Sequence, residues 1–175
     1  MKIEEMKGRE IYPIGQQDFK TLRESGALYV DKTQFIGKIL ESGNQYFFLA
    51  RPRRFGKSLF LSTLKYFFEG QRDLFKGLHI DSADWNWDKF PVLYLDLNSG
   101  EYSSPKSLDD VIEKKLGDWE TKYDVEVKSI SHTIRFQTVL ETIHKKTGRQ
   151  VVILVDEFQE APHRRLDHRN VISSC

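Results

Sequence analysis

The chain of 175 residues predicts an α/β fold with a parallel sheet, and three features of the sequence predict it. Short β-favouring runs alternate with longer stretches of helical period. The stretch Arg51-Pro-Arg-Arg-Phe-Gly-Lys-Ser58 lies between an apolar run and a helical stretch. The aliphatic run from Val151 to Val155 ends on a pair of carboxylates, Asp156 and Glu157.

The elements follow in order. Phe35, Ile36, Ile39 and Leu40 form a stripe that predicts a short amphipathic helix over 33–40, with Asp31 or Thr33 able to accept an N–H at its start. Residues 45–50 are a nearly continuous apolar run, which predicts a buried strand. From Lys57 onward the period changes: Phe60, Leu61, Leu64, Phe67 and Phe68 share one helical face, and Gly70 marks the stop. Residues 91–97 read as a second strand, with Pro91 at its tolerated first position. Leu108, Ile112, Leu116, Trp119 and Tyr123 predict one further helix, and Phe136, Val139, Leu140 and Ile143 another that Gly148 closes. Residues 151–155 complete a third strand.

Composition bounds the function. With 39% hydrophobic residues and 13% aromatics the chain can bury a core, so disorder is excluded as its main character. A net charge of +1 provides no global field towards nucleic acid or membrane, and basic segments at 51–54 and 163–169 are weak evidence for nucleic-acid binding. The one cysteine, Cys175, permits no internal disulfide, the first residues are too charged for a signal peptide, and no run is long enough to span a bilayer. A cytoplasmic domain is the expectation. The histidines show no metal-ligand spacing, so no metal beyond Mg²⁺ is expected.

The basic stretch carries the chemistry. A phosphate loop follows a strand and opens a helix, because the helix start offers free N–H groups and a partial positive charge. Gly56 would allow close backbone approach, Lys57 would reach the β- and γ-phosphates, and the Ser58 hydroxyl would bind Mg²⁺. The loop departs from the usual pattern, since Arg51 stands where a glycine is expected and Pro52 donates no N–H. Arg51, Arg53 and Arg54 offer guanidinium groups in partial compensation. The alternative is an ordinary basic turn. The candidate nucleotide-contacting set is Arg53, Arg54, Phe55, Gly56, Lys57, Ser58 and Leu59. Asp156 is placed to hold Mg²⁺ and Glu157 to polarise an attacking water. Asp96, at the end of the middle strand, reads better as a strand-end turn residue than as a ligand.

These motifs, with Tyr12-Pro-Ile-Gly15, Asp18-Phe19, Tyr29-Val-Asp-Lys-Thr33, Phe67-Phe-Glu-Gly70, residues 74–80 and Pro91 to Asp96, resemble the AAA-ATPase-like family over about residues 10–162. The resemblance implies a P-loop NTPase of the type with a catalytic glutamate beside the Walker B aspartate, binding ATP and Mg²⁺, in which the arginine-rich loop is a family trait. Lys57 and Ser58 carry over as phosphate and Mg²⁺ ligands, and Asp156 and Glu157 as the Walker B pair. Family members usually continue into a PD-(D/E)XK nuclease-like domain. Here Phe158-Gln159 departs from the family's Tyr-Asp-type continuation, and residues 163–175 read as an atypical tail after a domain over 1–162. The sheet is therefore expected to be truncated after the Walker B strand, with hydrolysis impaired, as in a gene fragment. Alternatives are a nucleotide-dependent binding module without turnover, self-associating or partnering an intact paralogue, and a small-molecule kinase, which Glu157 argues against.

Overall fold

A computed structural model describes residues 12–50, 52, 54–97, 105–128 and 131–156. Arg51, Arg53, Glu157 and the segment 163–175 lie outside the described residues. Among the described residues, five helices and two strands run in the order α1 (Phe19–Glu24), α2 (Gln34–Glu41), α3 (Lys57–Phe68), β1 (Val92–Asp96), α4 (Pro105–Tyr123), α5 (His132–Thr147) and β2 (Val152–Asp156), with two short 3₁₀ turns between α3 and β1.

The strands pair in parallel with Val92 opposite Val152 and Asp96 opposite Asp156. Val152 N–H donates to Pro91 C=O at 2.9 Å and Leu97 N–H to Asp156 C=O at 3.0 Å, bonds that extend the ladder at either end. The crossover between them contains α4 and α5, as a parallel pair requires. Because side chains alternate across a strand, Val92, Tyr94, Val152 and Leu154 face a first core with α3, while Leu93, Leu95 and Val151 face a second with α4 and α5.

The first core is aromatic. Phe19 and Phe75 are fully buried with ring centroids 4.9 Å apart, and Trp87 packs on Phe75 and Phe67 at 5.1 and 5.0 Å. Burying each such ring contributes roughly 1.5–3 kcal/mol. The second core is mainly aliphatic, and Arg135 clamps its helices by pairing with Glu113 at 2.6 Å and Glu120 at 2.7 Å on α4.

The C-terminal ends of α3 and α5 follow their sequence signals, whereas at the start of α2 the Thr33 side chain makes no capping bond and it is Asp31 that accepts the Thr33 N–H. At the end of α3, Gly70 has φ 70°, its N–H donates to Phe67 C=O, and Gln71 N–H donates to Tyr66 C=O, a Schellman-type closure that needs the left-handed conformation. Gly148 ends α5 in the same region with φ 65°.

One expected element is corrected. Residues 45–50 form no strand: Tyr46, Phe47 and Phe48 are exposed at 91%, 51% and 80%, and only Leu49 packs against the aromatic core. A strand exists through a paired backbone, and the described residues place no ladder partner beside this run. Among the described residues the parallel sheet therefore has two strands where three were expected.

Candidate functional site

The loop before α3 turns through two left-handed residues, Arg54 at φ 65° and Gly56 at φ 74°. Phe55 N–H donates to Pro52 C=O at 3.4 Å across the turn. Gly56 caps α3, and the first helical bond runs from Phe60 N–H to Gly56 C=O at 3.0 Å. The N–H groups of Lys57, Ser58 and Leu59 thus lie at the open, positive end of the helix. These three residues are half-buried, whereas Arg54 and Phe55 are exposed. Among the described residues no side-chain hydrogen bond or ion pair engages Lys57 or Ser58. A second cation adjoins the turn: a methyl group placed on Gly56 would lie 3.9 Å from Lys32 Nζ.

Asp156 sits at the carboxyl end of β2 and is 3% exposed. Its Oδ2 accepts a hydrogen bond from the Tyr94 hydroxyl at 3.3 Å. Burial pushes the Tyr94 pKa up, and the charges of Asp156 and Asp96 push it further, so the phenol keeps its proton and remains a donor. Asp96, read from sequence as a turn residue, is the register partner of Asp156. α3 packs over β2 and β1, so the helix that opens on Lys57 and the strand that closes on Asp156 belong to adjoining layers.

Two carboxylates tie the surrounding segments to this layer. Asp18 caps α1 by accepting from Thr21 N–H at 2.8 Å, and its other oxygen accepts from Ser62 and Tyr66 of α3 at 3.2 and 2.9 Å. Ser62 Oγ in turn accepts Phe19 N–H at 3.0 Å, so α1 is fixed across the middle of α3. Asp31 accepts from Thr33 N–H at 2.8 Å and His79 N–H at 2.7 Å, while the buried Thr33 hydroxyl accepts Ile80 N–H at 3.1 Å. Burial raises the pKa of both aspartates, but these hydrogen bonds outweigh it, and each carboxyl lies below its ordinary value.

Of the residues nominated from sequence, Gly56, Lys57, Ser58 and Leu59 gather at the start of α3, Arg54 and Phe55 flank them, and Asp156 closes β2. Arg53 and Glu157 fall outside the described residues. The run at 45–50 that leads into the turn is not a strand. An open groove of about 410 Å³ lined by Gln34, Lys38, His79 and Trp85, among others, includes none of the nominated residues. Sequence reasoning overlooked Tyr94, whose signal is its place two residues before Asp96 on one strand face, and it gave Lys32 no role.

Residues 13–174 match the family described as Predicted AAA-ATPase. The chain is 38% identical over 154 residues to an uncharacterized protein in the vnfD 5′ region of Azotobacter chroococcum mcd 1, an alignment covering 87% of this chain and 30% of that protein. The chain therefore spans under a third of the length of that relative. No solved structure matches. Among the described residues, no helix is long and apolar enough to cross a membrane.

Proposed function

The chain belongs to the predicted AAA-ATPase family, and from that premise we propose that it binds Mg-ATP at the start of α3 as a P-loop ATPase domain. The observation that carries the reading is the Gly56-Lys57-Ser58 turn: a left-handed glycine cap, three helix-start N–H groups, and a lysine that no carboxylate among the described residues neutralises. Such an end suits a polyanion.

The donors present fit Mg²⁺. The described residues contain no group of three or more His, Cys, Asp or Glu able to hold a metal. Mg²⁺ bound with a nucleotide needs only one or two protein oxygens besides phosphate and water. The Ser58 hydroxyl and the Asp156 carboxylate would supply them, and Tyr94 engages only one carboxylate oxygen of Asp156. The bound ion would offset phosphate charge. Lys57 would neutralise charge that develops on the γ-phosphate as water attacks in line, the helix-start N–H groups would orient the phosphates, and Glu157 would position the water.

Purified chain should release phosphate from ATP only when Mg²⁺ is present, and Lys57→Ala should lower the rate roughly 100-fold or more. Binding without turnover would favour the second reading, a nucleotide-dependent binding module.

A further inference from the structure

We infer that Lys32 is a second phosphate-contacting cation of this site, reaching from the segment before α2 to the turn at Gly56. The inference deepens the Mg-ATP reading and rests on it. Its first support is position: Lys32 Nζ lies within van der Waals reach of the space a methyl on Gly56 would fill, at 3.9 Å. Gly56 is the residue at which the backbone is left open for close approach, so Lys32 borders that opening.

The second support is how the lysine is held. Asp31 on one side is bonded through both carboxylate oxygens to Thr33 and His79, and Thr33 on the other is fully buried and bonded to Ile80 N–H. Lys32 C=O accepts Phe35 N–H at 3.1 Å as α2 begins. The lysine backbone is therefore anchored between two tied residues. Its neighbours in the Tyr29-Val-Asp-Lys-Thr33 stretch serve the scaffold, whereas its own ammonium serves none of these bonds.

The third support is charge. Lys32 adjoins the turn that leads into Lys57 and the positive end of α3, and Arg54 lies two residues before Gly56. Among the described residues no salt bridge engages Lys32 or Lys57. Like charges gathered with no carboxylate paired to them among the described residues repel one another, and a polyphosphate would turn that cost into attraction.

The test uses the full chain with Lys32→Ala, Lys32→Arg and, as a control for loss of general charge, Lys20→Ala on α1. Affinity for Mg-ATP and for tripolyphosphate is measured by calorimetry, with a melt of each unliganded protein. Lys32→Ala should weaken both ligands about tenfold. Lys32→Arg should recover most of the affinity, Lys20→Ala should match wild type, and the unliganded melts should coincide. Equal binding by wild type and Lys32→Ala overturns the role of Lys32 and leaves the nucleotide site standing. Equal losses in Lys32→Ala and Lys20→Ala also overturn it, since general charge would then explain the effect. A folded wild type that binds neither ligand removes the Mg-ATP reading itself, and Lys32 with it.

Discussion

The two ends of the candidate site are built by opposite means. At the start of α3 the work is done by backbone conformation and positive charge: left-handed Arg54 and Gly56, helix-start N–H groups, and the ammonium groups of Lys57 and Lys32, all half-buried or exposed. At the end of β2 it is done by strand pairing and burial: Asp156 is held in register opposite Asp96, roofed by Tyr94, and nearly removed from solvent. At the first end no carboxylate among the described residues pairs with Lys57 or Lys32. The second buries a carboxylate whose Oδ2 accepts the Tyr94 hydroxyl. On the proposed Mg-ATP reading, the two ends would complement each other through a ligand carrying both signs, as a metal–nucleotide complex does.

Asp156→Asn is the change that sharpens this contrast most. Asparagine keeps an acceptor for the Tyr94 hydroxyl while removing a buried charge that faces Asp96 in register. Mg-dependent phosphate release should fall roughly 100-fold. At the same time the unliganded chain should melt no lower than wild type, because asparagine keeps the acceptor for the Tyr94 hydroxyl and removes a buried charge. Phosphate-release rates and thermal melts read the two effects separately. A loss of stability would break the contrast, since the carboxylate would then be structural.

Arg54→Gly probes the other end, with a smaller effect. A left-handed arginine carries a conformational cost that glycine avoids, partly offset by the greater freedom glycine has when unfolded. The midpoint of denaturant unfolding should report a gain of about 0.5 kcal/mol. Destabilisation would mean that the Arg54 side chain holds the turn in place.

Much of this fold was legible because its signals are local. The stripe from Phe60 to Phe68 and its stop at Gly70 identify α3, and the aliphatic run at 151–155 identifies β2. The run at 45–50 misled because apolar composition reports a wish for burial and says nothing of a ladder partner, which only tertiary structure supplies. The start of α3 was legible for the same reason as its stripe: Gly-Lys-Ser is a contiguous motif. The Tyr94–Asp156 hydrogen bond and the approach of Lys32 to Gly56 were not, because they join residues distant in the chain, 62 apart for Tyr94 and Asp156. The quoted family motifs gained physical meaning only once folded. Asp18 and Asp31 prove to be ties between segments, a role their sequence neighbours did not announce.

The most direct measurement is calorimetric titration of the folded chain with Mg-ATP, run beside Lys57→Ala. One saturable site is expected in wild type, with an affinity at least tenfold weaker in the variant. Equal binding by both proteins, or no binding by a wild type that melts cooperatively, would contradict it and leave the turn before α3 as a basic surface loop.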